Sequence, residues 1–233
     1  MIIAGLQKLS LVDYPGVVCA VIFTQGCNFR CGYCQNPDLI PSLLSQPQSV
    51  CDEQEVFSFL NKRKGMIEGL VITGGEPTLQ KDLPDFIRKV KELGLKVKLD
   101  TNGANPDLLE ELLKEDIIDY AAVDIKTSSS KYVLMSDDKG VAVRLTRTIH
   151  LLMLAQIPYE FRTTCVPGVV DAQDFEEISE IVKGAACYYL QQFRADITLD
   201  KTFHTVKPYL PEEIEKFKDI LSKYVQRVEI RGV

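Results

Sequence analysis

Short runs of β-branched and apolar residues alternate along this chain with longer segments of helical period, and this alternation restricts the fold more than any other feature. It is typical of parallel strands joined by crossover helices. The predicted strands are 18–24, 70–73, 95–100, 120–126, 158–163, 186–191 and 227–230. The predicted helices are 56–60 behind an Asp52-x-x-Glu55 capping box, 83–94, 106–115, 143–155, 175–183 and 211–224, with Asn105 and Asp174 near two of the starts.

No low-complexity linker interrupts the series, so a single domain over residues 1–233 is expected. Each strand-helix unit takes roughly thirty residues. A complete eight-fold barrel needs about 250 residues, and the long first loop adds no strand. An α/β fold is therefore predicted, namely a partial (β/α)6 TIM-like barrel with a parallel sheet. In such folds ligands bind at the carboxyl ends of the strands.

Seven cysteines are an odd number, and three of them lie within eight positions, which favours metal or redox chemistry over a disulfide framework. Cys19, Cys51 and Cys187 are interpreted as packing residues, whereas Cys165 follows a strand on the site face. The net charge of −6, without a dense basic tract, argues against nucleic acid as a partner. No secretory signal or membrane span is recognisable, and a soluble, cytoplasmic protein is predicted.

The loop after the first predicted strand carries three thiols, Cys27, Cys31 and Cys34. Soft sulfur ligands select zinc, copper or iron-sulfur clusters. Three cysteines leave one iron of a cubane cluster free for another ligand, whereas structural zinc requires a fourth Cys or His nearby. Neither His150 nor His204 has that spacing. Three unrelated buried cysteines remain the alternative, which the spacing makes improbable.

Further polar residues follow the next three strands. Gly74-Gly75-Glu76-Pro77 places a carboxylate after the second strand, although the same letters also form an ordinary turn. Asp100 and Asp124 end the third and fourth strands, and Lys126 follows. Two neighbouring acids repel unless a cation, a proton or Lys126 lies between them. The alternative is that Asp100 caps a turn while Asp124 pairs with Lys126.

These motifs together resemble the radical S-adenosylmethionine superfamily, through Cys-x3-Cys-x2-Cys followed by Gly-Gly-Glu-Pro. The opening Lys8-Leu9-Ser10-Leu11-Val12-Asp13-Tyr14-Pro15-Gly16 and Asp100-Thr101-Asn102-Gly103 are similar to glycyl-radical-enzyme activating enzymes, and most similar to those of anaerobic ribonucleoside-triphosphate reductase. The resemblance covers nearly the whole chain and thins after Pro167. No additional ferredoxin-like cysteine set is present, so one cluster is expected.

The resemblance implies roles for particular residues. Cys27, Cys31 and Cys34 would hold a 4Fe-4S cluster whose open iron binds S-adenosylmethionine. Further contacts to this cofactor would come from Tyr33, Gln35, Gly74, Gly75, Glu76, Asn102, Asp124, Lys126 and Arg194. A monovalent cation, Na+ or K+, would lie among Asp100, Thr101, Ala122 and Asp124. Asp13, in a Pro-Gly turn, is expected to be exposed and to accept from the partner's glycine-bearing loop, unless it only caps the turn.

The implied reaction is reductive cleavage of S-adenosylmethionine to a 5'-deoxyadenosyl radical, which generates a glycyl radical on a partner enzyme. Flavodoxin or ferredoxin would supply the electron. Anaerobic ribonucleoside-triphosphate reductase is the preferred partner, and pyruvate formate-lyase is an alternative. Two other hypotheses remain: a radical enzyme acting on a small molecule or peptide, and a non-catalytic iron-sulfur or zinc module. An open lateral face suits a protein loop, whereas a small substrate requires an enclosed pocket.

Overall fold

A computed structural model describes residues 1–40 and 51–232. The chain divides into two compact units, each built from several stretches. The first unit comprises Met1–Asn28, Asp38–Thr101 and Asp107–Ala121, and the second comprises Phe29–Pro37, Asn102–Pro106 and the chain from Ala122 onward. The prediction of a single domain stays a prediction.

Eight strands and six α-helices lie in the described residues. The strands are β1 (Ile3–Ser10), β2 (Cys19–Thr24), β3 (Gly69–Gly74), β4 (Lys96–Thr101), β5 (Tyr120–Asp124), β6 (Tyr159–Cys165), β7 (Tyr188–Gln192) and β8 (Val228–Arg231). The helices are α1 (Glu53–Lys62), α2 (Leu83–Glu92), α3 (Pro106–Lys114), α4 (Val141–Leu154), α5 (Ala172–Ile181) and α6 (Pro211–Leu221). Strand order follows chain order.

Each strand from β2 to β7 is followed by one α-helix, so the prediction of six strand-helix units in an α/β fold is confirmed. β1 and β8 flank these units. β8 corresponds to the predicted strand 227–230, whereas β1 was missed. Every predicted helix exists within a few residues of its predicted bounds.

In the first unit, β1 runs antiparallel to β2, and β2, β3 and β4 run parallel. Ile22, Ile72 and Leu99 are paired in register across the three parallel strands, and all three are fully buried. This buried row explains why the strands are recognisable as apolar runs. β1 escaped prediction because Gln7, Lys8 and Leu9 are consecutive exposed residues that break its alternation.

In the second unit, β6, β7 and β8 are parallel, with Phe161 opposite Tyr188 and Tyr188 opposite Val228. The rings of Phe175 on α5 and Phe217 on α6 stack at a centroid distance of 4.7 Å. The aromatic contact joins these two helices, because stacked rings bury a large apolar area.

Helix starts agree with the capping residues in the sequence. The predicted box at the start of α1 forms, with Asp52 accepting from the backbone and Glu55 reaching back to the amide of Asp52. Asp171 is the N-cap of α5, and Asp174 lies three residues inside it as the second half of another capping box. The predicted position of Asp174 near this helix start is therefore confirmed.

The cysteines outside the three-thiol motif differ in burial. Cys19 and Cys187 are buried in or beside strands, which confirms their interpretation as packing residues, and Cys51 is half-buried. Cys165 is also fully buried, and burial raises its thiol pKa to about 12. The Cys165 thiol is therefore protonated and poorly reactive. None of the helices in the described part of the chain is long and apolar enough to cross a membrane.

The carboxyl ends of β2 and β3 are joined by direct backbone contact. The amide of Gly75 donates to the carbonyl of Thr24 at 2.9 Å, and the amide of Glu76 donates to the carbonyl of Gly26 at 2.7 Å. A Cβ atom on Gly75 would lie 2.0 Å from the Gly26 oxygen, and one on Gly74, whose φ is 127°, would lie 2.3 Å from the Thr24 nitrogen. No side chain fits at either glycine, so this contact requires both.

We predict that Gly75→Ala lowers the free energy of unfolding by about 1–3 kcal/mol, because the added methyl group forces β2 and β3 apart at their ends. Gly5→Ala is the matched control in the same unit, since its Cβ would meet Phe23 at an ordinary contact distance of 3.6 Å. Urea unfolding of both variants measures the difference. Equal losses in the two would show that the backbone contact does not require glycine.

Candidate functional site

Cys27 follows the joined ends of β2 and β3 in the first unit and is partly exposed. The residue before it, Gly26, donates its amide to the carbonyl of Leu39 at 2.7 Å and accepts from the amide of Glu76. The start of the thiol-bearing loop is therefore held on both sides by backbone hydrogen bonds. This fixes the main chain at Cys27 relative to the ends of β2 and β3.

Cys31 and Cys34 lie in a turn of the second unit. The amide of Cys34 donates to the carbonyl of Cys31 at 3.0 Å, and the amide of Arg30 donates to the carbonyl of Met135 at 2.8 Å. Phe29 is buried, and its ring packs edge-to-face on Tyr132 at 6.1 Å. The turn is thus anchored in the core of this unit, with Cys31 buried and Cys34 partly exposed.

The charge state of Cys31 is set by two opposing effects. Burial raises the pKa of this thiol, and Lys126 lowers it. Burial alone would lower the pKa of the Lys126 ammonium, but Asp124 and Cys31 outweigh it and the pKa is raised. Lys126 therefore remains charged and opposes the rise in the Cys31 pKa, but burial outweighs it and the pKa stays raised. Metal binding at this thiol would release its proton, because the thiolate is the form that binds metals.

The described residues, 1–40 and 51–232, contain no group of three His, Cys, Asp or Glu side chains arranged to hold a metal ion. The ligand set Cys27, Cys31 and Cys34 therefore stays a prediction.

Glu76 is buried, with 1% of its surface exposed. Its Oε1 atom accepts from Thr78 Oγ1 at 2.6 Å, from the Thr78 amide at 3.1 Å and from Thr101 Oγ1 at 2.6 Å. The carboxylate expected at the site is thus fixed by two threonines. Thr101, predicted as a cation ligand, donates its hydroxyl hydrogen to Glu76.

Asp100 is paired within the first unit. Its carboxylate contacts Lys98 Nζ at 2.5 Å. Lys98 is buried, and its ammonium lies 5.7 Å from the centroid of the Tyr120 ring. Asp100 therefore pairs with a lysine two residues before it, a contact that neither the turn-cap nor the shared-cation interpretation included.

Asp124 lies between two cations of the second unit. Its Oδ2 accepts from Lys126 Nζ at 2.9 Å, and its Oδ1 accepts from Arg162 Nε at 2.7 Å. Burial would raise the pKa of Asp124, but the two cations outweigh it and hold the pKa well below its usual range. The predicted pairing with Lys126 is confirmed. Ala122, two residues earlier on β5, is fully buried.

The sequence analysis did not identify Arg162 as a site residue. Arg162 belongs to a larger network of charged side chains. Glu160 is buried two residues earlier on β6, and its carboxylate lies 3.7 Å from Arg162. The same carboxylate accepts hydrogen bonds from both terminal nitrogens of Arg231, at 3.2 and 3.1 Å. The guanidinium of Arg231 stacks on the Tyr189 ring. The signal available in the sequence was a pair of charged residues, Glu160 and Arg162, at alternate positions of a predicted strand. Such residues need charged partners when they are buried.

Three residues of the second unit that are predicted to contact the cofactor make hydrogen bonds within this unit. Gln35 Nε2 donates to the carbonyl of Arg194 at 3.3 Å, and the Arg194 side chain pairs with Asp196 at 2.8 Å while 72% exposed. Asn102 is buried, and its side-chain oxygen accepts from the Ala104 amide at 3.0 Å. Gln35 and Arg194 are thus exposed, whereas Asn102 is buried.

Tyr33 is buried between the two cysteines of the turn. Its hydroxyl makes no hydrogen bond of full geometry in the described part of the chain, and it faces the Cys31 thiol, which together with burial raises the pKa of the hydroxyl. A buried hydroxyl without a partner costs about 1–3 kcal/mol. Its environment is therefore suited to a ligand or cluster that offers an acceptor.

Asp13 differs from its prediction. It is half-buried rather than exposed, and its carboxylate accepts from the hydroxyl of Ser10, which in turn accepts from the amides of Val12 and Asp13 at 3.2 Å. Asp13 is therefore less exposed than expected, because Ser10 folds the turn back onto this carboxylate, and its role at a partner's loop stays a prediction. The turn-capping alternative describes these contacts.

Comparison with known proteins gives the family. The Radical SAM superfamily matches residues 21–182, more than half of the chain. A candidate glycyl-radical enzyme activating enzyme of Methanocaldococcus jannaschii is 35% identical over 237 aligned residues, covering 100% of this chain and 96% of the relative. The pyruvate formate-lyase-activating enzyme of Clostridium pasteurianum is 33% identical over 53% of this chain and 52% of its own length.

A solved structure agrees in fold. Streptococcus suis SuiB, bound to S-adenosylmethionine, matches with a TM-score of 0.67 at 17% identity over 91% of this chain and 50% of its own. The superfamily match, the full-length relative and the thiol-bearing loop after β2 lead to one conclusion. The chain belongs to the radical SAM superfamily.

Proposed function

We propose that this protein is a glycyl-radical-enzyme activating enzyme that binds a 4Fe-4S cluster through Cys27, Cys31 and Cys34. The observation that carries the proposal is the three-cysteine motif in a chain that aligns over its full length with a candidate activating enzyme. The donor set fits the cluster, because cysteine thiolates are its usual ligands and the charged Lys126 partly offsets the burial that raises the pKa of Cys31. When bound, the reduced cluster and S-adenosylmethionine supply the radical chemistry that removes a hydrogen atom from glycine.

In this scheme the chain's own residues bind and orient S-adenosylmethionine. Glu76, Asn102 and Arg194 are proposed to hold polar groups of S-adenosylmethionine, together with Gln35 and the backbone at Gly74 and Gly75. Glu76 is positioned for this role by Thr78 and Thr101, which prevent its carboxylate from rotating. In cofactor chemistry the protein contributes binding, orientation and electrostatics.

Lys126 and Arg162 are proposed to keep Asp124 ionised beside the cofactor. Because both cations already contact this carboxylate, they hold its pKa well below its usual range and it stays ionised at neutral pH. We further propose that a Na+ or K+ ion binds at Asp100, Thr101, Ala122 and Asp124. Such an ion would add positive charge to that of Lys126 and Arg162.

The partner proposed for activation is anaerobic ribonucleoside-triphosphate reductase, with pyruvate formate-lyase as the alternative. The Clostridium pasteurianum relative supports the alternative over about half of the chain. Flavodoxin or ferredoxin is proposed as the electron donor. Asp13 is proposed to accept from the partner's loop, for which its hydrogen bond with Ser10 must open or be shared.

We predict that Cys31→Ser, reconstituted anaerobically with iron and sulfide, loses most of the cluster, whereas the parent binds about four irons and shows thiolate-to-iron absorption. Cys51→Ser is the control, because Cys51 is a half-buried cysteine outside the motif. Iron analysis and absorption spectra measure both. Equal iron in Cys31→Ser and the parent, or zinc alone in the parent, would contradict the proposal.

Activation itself is tested by electron paramagnetic resonance. Loaded parent protein, reductant and S-adenosylmethionine are mixed with each purified partner, and a glycyl radical is expected only on the partner that this chain activates. S-adenosylmethionine cleavage with no radical on either partner would favour a small-molecule or peptide substrate. No cleavage would favour the non-catalytic module.

We predict that Asp124→Asn lowers the free energy of unfolding by about 1–3 kcal/mol above about pH 5, because Lys126 and Arg162 lose their shared carboxylate. The pKa of Asp124 is lower in the folded state than in the unfolded chain. Its stabilisation is therefore complete above about pH 5 and is lost as pH falls further, so the difference between parent and variant shrinks.

Asp196→Asn is the control for this variant, because Asp196 pairs with Arg194 at a site where both side chains are more than half exposed. Its effect is expected to stay within about 0.5 kcal/mol at every pH. A difference for Asp124→Asn that is independent of pH down to about pH 3 would contradict the charge pairing. Unchanged S-adenosylmethionine affinity and unchanged Na+ or K+ dependence in Asp124→Asn and Asp100→Asn would contradict the cation site.

A further inference from the structure

A short segment after β7, residues 198–206, lies on the turn that contains Cys31 and Cys34. It contains a 3-10 turn, Lys201–Thr205, which begins with the Asp200 side chain accepting from the Thr202 amide at 2.8 Å. Phe203 is the only residue of this 3-10 turn that is half-buried rather than exposed. The segment therefore presents one aromatic side chain to the protein and polar side chains to solvent.

Phe203 and Asp200 contact Gly32, which lies between the two cysteines. A Cβ atom on Gly32 would lie 2.5 Å from Cε2 of Phe203 and 3.4 Å from Cβ of Asp200. The amide of Asp200 donates to the carbonyl of Gly32 at 2.8 Å. The phenyl ring thus takes the space that a side chain at position 32 would fill, and the hydrogen bond fixes the segment at this position.

The same ring completes a small aromatic cluster. Its centroid lies 6.1 Å from that of Tyr33 and 6.3 Å from that of Phe193, the latter in an edge-to-face arrangement. Phe193 and Tyr33 are both buried. Phe203 is thus the most exposed member of the cluster.

The hydroxyl of Tyr33 is a second observation at this place, because it is buried, makes no hydrogen bond of full geometry and faces the Cys31 thiol. Free energy is lost when a hydroxyl is buried without a partner, and this loss is recovered if a ligand supplies an acceptor. The aromatic cover and the buried donor together describe a protected polar space beside the cysteine turn, closed by an element that is remote in sequence.

We propose that residues 198–206 form a cover that limits solvent access to a cluster held at Cys31 and Cys34, with Phe203 as the positioning residue. This inference rests on the proposed function, because it concerns the cluster. An apolar shell controls solvent access to a metal site and its reduction potential. Phe203 acts through Gly32 and Tyr33, and it contributes no ligand.

The first experiment compares anaerobically loaded Phe203→Ala, Phe203→Leu and parent protein. Loss of thiolate-to-iron absorption in excess chelator is expected to be about tenfold faster in Phe203→Ala, a typical effect for residues that surround metal ligands, and intermediate in Phe203→Leu. The reduction potential of the cluster in Phe203→Ala should shift as water enters. Phe57→Ala is the control, because Phe57 is a half-buried aromatic of the first unit whose ring packs on Phe86 at 5.1 Å.

The second experiment is a double-mutant cycle that tests the contact itself. Gly32→Ala places a methyl group against the Phe203 ring and should speed cluster loss in the parent background. In the Phe203→Ala background the space is already free, so Gly32→Ala should add little, and the two effects should not sum. Equal effects of Gly32→Ala in both backgrounds would overturn the proposed contact.

The outcomes separate this inference from the proposed function. A parent that binds no iron-sulfur cluster would refute the function. A parent that binds the cluster, with Phe203→Ala losing it no faster than Phe57→Ala, would refute the cover alone. Circular dichroism of each variant shows whether the fold is kept, and Phe203→Leu retains apolar bulk if the alanine variant does not fold.

Discussion

The carboxylate of Asp124, at the strand ends of the second unit, contacts the two cations Lys126 and Arg162, and the electrostatics of the site depend on this pairing. It joins β5 to β6 through Arg162, and it neutralises Lys126, which acts on the buried thiol of Cys31. Burying any one of these charges alone would be strongly unfavourable, because desolvation exceeds what a single hydrogen bond returns. The network therefore stabilises the site only when all its members are present.

This arrangement has a direct consequence for the cysteine turn. Burial of Cys31 favours the neutral thiol, whereas metal binding requires the thiolate. Lys126 counteracts the burial effect, and its own charge depends on Asp124. The pKa of Cys31 nevertheless stays raised, so metal binding at this buried cysteine would be coupled to release of its proton. The proposed cover at Phe203 would add protection of the same turn from solvent, through contact with Gly32.

Local signals in the sequence predicted much of the fold. The capping box at Asp52 and the apolar row that includes Ile22 and Ile72 are formed by residues near one another or by strands buried on both faces, so their patterns are visible without tertiary contacts. β1 was not visible, because an edge strand with exposed residues lacks the apolar alternation that marks a half-buried strand.

The sequence by itself determined the six strand-helix units, the three-thiol motif and the positions of the acidic residues at strand ends. Only the tertiary structure decided the partners of these residues: Arg162 for Asp124, Thr101 for Glu76 and Phe203 for Gly32. The physical reason is distance along the chain. Motifs and periodicity report neighbours within a few residues, whereas each of these partners comes from a different strand or loop and is selected by packing, burial and the need to pair each buried charge.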